Sequence, residues 1–108
     1  MDAKVLTIVK LLTERTKKGI IKWNATGTAN EYKVVMDGGT VVVSSFLTAG
    51  ATLAYSIKIF NKTGILALQE SRSRTSDNYA DLYMLFNAAK DSFTGKDSVI
   101  DEILNQLQ

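Results

Sequence analysis

The sequence contains no cysteine, no histidine and no proline. Without cysteine there are no disulfides, no thiolate nucleophile and no Cys-ligated zinc or iron–sulfur centre, and a chain of 108 residues can bury a core without cross-links. Without histidine the commonest metal ligand is gone, and so is the one side chain that titrates near neutrality unperturbed. Ser/His/Asp and Cys/His nucleophile arrangements are therefore excluded. The lack of proline leaves turns to Gly, Asn and Asp, and leaves sheet edges without a residue that often blunts them. Long apolar runs are missing too. The first apolar stretch contains Lys4 and Lys10, which makes it too short and too charged for a signal peptide or membrane span. A cytoplasmic protein is expected.

What remains is ordinary globular composition, 45% apolar and 22% charged, with no linker, repeat or low-complexity tract. A single domain over residues 1–108 is expected. The net charge is only +2, but residues 1–75 carry eleven Lys/Arg against five Asp/Glu, whereas 76–108 carry two against six. Such asymmetry marks either a polyanion-binding surface or a basic sheet layer docked by acidic helices.

Hydrophobic periodicity supplies the elements. Val5, Ile8, Val9 and Leu12 recur at helical spacing, with Leu6 and Leu11 widening the stripe, and Gly19 is placed to cap a helix ending at Lys18. Ile20–Trp23 reads as a short strand. Tyr32, Val34 and Met36 alternate ahead of Asp37-Gly38-Gly39, and Thr40–Phe46 returns as the partner strand. Leu53, Tyr55, Ile57 and Ile59 give the clearest period-2 pattern, Asn61-Lys62-Thr63-Gly64 a four-residue turn, and Ile65–Glu70 the last strand. Ser71–Thr75 reads as a polar connector, with Ser76 or Asp77 as N-cap for a helix carrying Tyr79, Leu82, Tyr83 and Phe86. After Gly95, Thr94 and Asp97 stand in capping-box-like spacing before Val99, Ile100, Ile103, Leu104 and Leu107 on a third helix.

Short connections cannot join parallel neighbours, so the strands must run antiparallel. The expected fold is α+β: an N-terminal helix, an antiparallel meander of four to five strands, and two C-terminal helices packed on one sheet face. The opposite face, either solvated or used for association, would carry Lys33, Val35, Ala54, Ser56, Lys58 and, at the end of its strand, Phe60. That is more apolar area than a purely solvated face needs, which makes it an expected binding surface.

The candidate chemistry is sparse. Asp77/Asp81 and Asp97/Asp101 are i, i+4 pairs suited to a hard cation, but helix first turns attract acids anyway. No phosphate-loop motif occurs, and neither a metal nor a cofactor is expected. Ser71-Arg72-Ser73-Arg74 places two guanidiniums before a helix start, an arrangement suited to phosphate but also common in mobile loops. Lys17, Lys18, Lys22 and Trp23 interleave cations with an indole that would stack a base, or would instead close the edge of the core beneath lysine stems.

The segment Thr16-Lys17-Lys18-Gly19 followed by Ile21-Lys22-Trp23, the tyrosine-led hairpin, the Tyr55 to Gly64 strand and turn, and the acidic last helix resemble small uncharacterised bacterial and phage-borne α+β proteins. The resemblance implies a bacterial or mobile-element context and no site residues. The residues themselves point to a non-enzymatic interaction module that associates with itself. The alternative is a weak nucleic-acid-binding module using Lys17, Lys18, Lys22, Trp23, Arg72 and Arg74. Trp23, Lys22, Arg72 and Arg74 are the binding candidates in either case. A small enzyme ranks third, because no spacing assembles the available acids, lysines and tyrosines.

Overall fold

The computed structural model describes residues 1 to 108. The elements follow in the order α1 (Ala3–Lys17), β1 (Asn24–Ala25), β2 (Glu31–Met36), β3 (Gly39–Leu47), β4 (Leu53–Phe60), β5 (Leu66–Ser73), α2 (Tyr79–Thr94) and α3 (Lys96–Leu107). All five strands form one antiparallel sheet in sequence order. No helix is long and apolar enough to cross a membrane.

Local chemistry explains most boundaries. The Asp2 carboxylate accepts from the backbone N–H of Lys4 at 2.7 Å and of Val5 at 3.4 Å, which satisfies donors that the first turn of α1 leaves free. Gly19, at φ 77°, takes the chain out of the helix. Between β4 and β5, Asn61 Oδ1 accepts from the backbone N–H of Thr63 and Ile65 at 3.0 and 2.9 Å, and Gly64 supplies the positive φ.

Four boundaries differ from the sequence expectation. Ile20–Trp23 is not a strand; pairing begins at Asn24, opposite Lys33, because the indole of Trp23 is drawn into the core just before it. β5 does not stop at Glu70 but continues to Ser73, with Ser71, Arg72 and Ser73 opposite Ser56, Tyr55 and Ala54. Those three residues of β4 are buried, and the longer β5 gives their backbone groups partners. The N-cap of α2 is Asn78, in the left-handed region at φ 63°, which asparagine tolerates better than the expected Ser76 or Asp77. Gly95 serves both as C-cap of α2 and N-cap of α3, so Thr94 belongs to α2 and closes no capping box.

The register places Tyr32, Val34, Val41, Val43, Tyr55 and Ile57 on the helix-covered face. α2 lies across it, with Tyr79 against Tyr55 of β4 at 5.5 Å between ring centroids and Phe93 against Tyr32 of β2 at 5.4 Å. α1 runs beside α2, and Val9 and Leu12 join Leu82, Leu85, Phe86, Ala89 and the sheet residues in one core cluster. The other sheet face carries Lys33, Val35, Ala54, Ser56, Lys58 and Phe60, as the alternation requires. Ala54 and Ser56 are buried there even without a helix above them, and the Ser56 hydroxyl is hydrogen-bonded to that of Ser44 at 2.6 Å.

α3 stands apart. It touches α2 and buries none of its residues. The cause is its one-residue joint: α2 reaches Tyr32 near the sheet's edge at Phe93, and Gly95 gives too little chain for α3 to turn back over the strands.

Candidate functional site

Val99, Ile100, Ile103, Leu104 and Leu107 recur at i, i+1, i+4, i+5 and i+8, so a helix turning about 100° per residue puts them on one stripe. Each remains 46 to 79% exposed. The same rotation places Asp97 and Asp101 along one border of the stripe and Glu102 along the other. None of these three acids is in an ion pair; Lys96, the one cation of α3, lies 3.9 Å from Asp91 of α2.

A second apolar surface lies on the far side of α1 from α2. The helix packs Val5, Val9, Leu12, Thr13 and Thr16 inward, which leaves Ile8 and Leu11 partly uncovered. With Ile21, Met36, Val41 and Ile59 they line an open groove of about 350 Å³ between α1 and the β2–β3 turn, and Arg15 is its one charged wall residue. Lys4, Ile8, Leu11 and Arg15 follow one another at i, i+4, i+7 and i+11, so an apolar pair is bracketed by two cations, neither of them ion-paired.

The residues singled out by sequence do not form one surface. Trp23 is 3% exposed; its Nε1–H donates to Thr16 Oγ1 at 2.9 Å and its backbone N–H to Ser92 Oγ at 3.2 Å. Lys17 and Lys22 line an open cleft of about 520 Å³ between α1, α2 and the first turn of α3, where Asp91 and Asp97 offset their charge. Lys18 is paired with Glu14 at 2.8 Å. This pairing, by hydrogen bond and then by charge, holds the Glu14 carboxyl below its ordinary value. Arg72 is no loop residue: it sits in β5, paired with Glu70 at 2.8 Å, and only Arg74 lies in the connector. The four strand spacings between β1 and β5 put Arg72 about 19 Å across the sheet from the strand that follows Trp23. Nor do the paired aspartates converge; no group of three acidic side chains is placed to hold a cation.

No protein-family model, curated protein or solved structure matches the chain. The exposed stripe of α3 and the groove beside α1 are the two uncovered apolar surfaces that could form a site. Sequence reasoning found every residue of the stripe but assigned it to the sheet. The usable signal was the lone glycine between two helical periodicities.

The aromatic seam under α2 has a chemistry of its own. Tyr55 lies 5.5 Å from both Tyr79 and Tyr83 and 5.3 Å from Phe86, measured between ring centroids. Burial, then the neighbouring Tyr79 and Tyr83, push its hydroxyl above the ordinary tyrosine value of 10.0. A group with a raised folded-state value contributes stability that is complete below its unfolded value and is lost as pH rises through the folded one. Stability should therefore fall from about pH 10 upward, less steeply in Tyr55→Phe. Identical alkaline unfolding profiles for the two proteins would remove Tyr55 from this role.

Proposed function

We propose that this protein is a non-enzymatic interaction module that associates with copies of itself. The observation carrying this reading is α3, a helix that exposes five aliphatic side chains on one face and buries none. Single exposed apolar residues are common, but a continuous stripe is a surface to be covered. No constellation of nucleophile, base and acid competes with it for the role of functional centre. The resemblance noted above adds a bacterial or mobile-element context, and the lack of cysteine suits a reducing, cytoplasmic setting.

Sedimentation velocity at high micromolar concentration tests the reading directly. A dimer or larger species is expected; monomer throughout the range would reject it. Nucleic acid is ranked lower because Trp23 is buried, Arg72 and Lys18 are ion-paired, and Lys17 and Lys22 face aspartates. Binding to DNA or RNA should be weak at physiological ionic strength. A submicromolar affinity that falls steeply with salt, and is lost when Lys22 and Arg74 are both replaced by alanine, would reverse the order.

A further inference from the structure

We infer that α3 of one copy docks into the groove beside α1 of a second copy, and that the exchange is reciprocal, closing a two-fold dimer. This rests on the self-association reading and assigns its surfaces. The stripe of α3 is bordered by Asp97, Asp101 and Glu102, all free of ion pairs. A partner helix of the same kind would bring acid against acid, so α3 paired with α3 is disfavoured. The α1 groove offers the complement, with Ile8 and Leu11 between Lys4 and Arg15. Three unpaired anions border the stripe and two unpaired cations flank the apolar pair of the groove, so the contact would have an apolar floor and a complementary charged rim.

Size agrees. Five roughly half-exposed aliphatic side chains present on the order of 500 Å² of apolar surface, about the largest patch a monomer tolerates. One such contact is small for a stable complex. Two stripes and two groove walls buried by reciprocal exchange come within reach of the roughly 1,200–2,000 Å² typical of specific interfaces. Reciprocal exchange closes the assembly at two, whereas one-way exchange of the same helix and groove would run head to tail into a ring or filament, so sedimentation that stops at dimer is part of what is expected.

The test uses the full chain and two single variants, Ile103→Asp in the stripe and Leu11→Asp in the groove. Sedimentation over a concentration series should show a wild-type dimer, with dissociation constants raised roughly 30-fold or more in each variant. Circular dichroism and Trp23 fluorescence should stay unchanged, since Ile103 and Leu11 lie outside the core cluster. An equimolar mixture of the two variants should recover part of the association, because one intact helix still meets one intact groove. If Leu11→Asp disturbs folding, Arg15→Glu takes its place, and its loss of affinity should be restored by Asp101→Lys with Glu102→Lys. A wild-type dimer that survives Ile103→Asp overturns this inference and leaves self-association standing through another surface. Loss in Ile103→Asp with no loss in either groove variant also overturns it, since α3 would then dock elsewhere. A wild-type monomer at every concentration rejects both readings.

Discussion

Trp23→Ala is expected to cost about 3 to 5 kcal/mol, a large part of the total stability of a domain this size. The indole is 3% exposed and belongs to the same cluster as Val9, Leu12, Val34 and Leu85, so truncation leaves a cavity where α1, the sheet and α2 meet. It also removes the hydrogen bond from Nε1–H to the Thr16 hydroxyl at 2.9 Å. That hydroxyl donates in turn to the Leu12 carbonyl at 2.6 Å, so it keeps one partner and loses the other. Trp23→Phe removes the N–H together with part of the ring, so the polar part is isolated by a double-mutant cycle with Thr16→Val, whose coupling should be about 1 kcal/mol. Native fluorescence should be blue-shifted and poorly quenched. Stability within about 0.5 kcal/mol of wild type in Trp23→Ala, with a red-shifted indole, would show that the side chain is on the surface.

Gly39→Ala should be comparably damaging, at about 3 kcal/mol or more, although it adds only one methyl group. Gly39 opens β3 at φ 151°, a conformation that side-chain-bearing residues rarely adopt. A Cβ built there runs into the Phe60 carbonyl oxygen, with the Phe60 carbonyl carbon at 3.1 Å and Asn61 Cα at 3.3 Å behind it. These are backbone atoms at the end of β4 and the start of the next turn, so they yield only by moving the strand. Gly38, one residue earlier, is the control, because its φ is not positive and a Cβ there meets nothing within 4 Å. Gly38→Ala should therefore lie within about 1 kcal/mol of wild type and can be slightly stabilising through the unfolded chain. Equal denaturation midpoints for the two alanine variants would contradict the close approach of β3 and β4 at this corner.

The two glycines illustrate how far the sequence can be read. Asp37-Gly38-Gly39 announces a hairpin turn, and the turn is there, but only Gly39 has the positive φ expected of the segment. Which glycine is indispensable depends on Phe60, a residue 21 positions away that the local pattern does not mention. Arg72 is a similar case. A run of serines and arginines reads as a loop, yet β4 extends far enough to recruit Ser71, Arg72 and Ser73 as its partner. β-pairing overrode local propensity there.

Sequence alone determined the kind and order of the elements. The apolar spacing of residues 5 to 12, the alternation from Leu53 to Ile59 and the glycines at 19, 64 and 95 are local signals, and each acts through the backbone of its own segment. Short connections then forced an antiparallel meander, with the uncovered face legible from strand parity. Tertiary structure decided what each apolar surface meets. Trp23, in the connection between α1 and β1, and the stripe of α3 are both apolar, but the first is enclosed by α1, α2 and the sheet while the second is left in solvent. Periodicity says that a face is apolar. Whether another surface remains to cover it depends on where α1 and α2 have already settled, and on a one-residue joint that holds α3 beyond the sheet's reach.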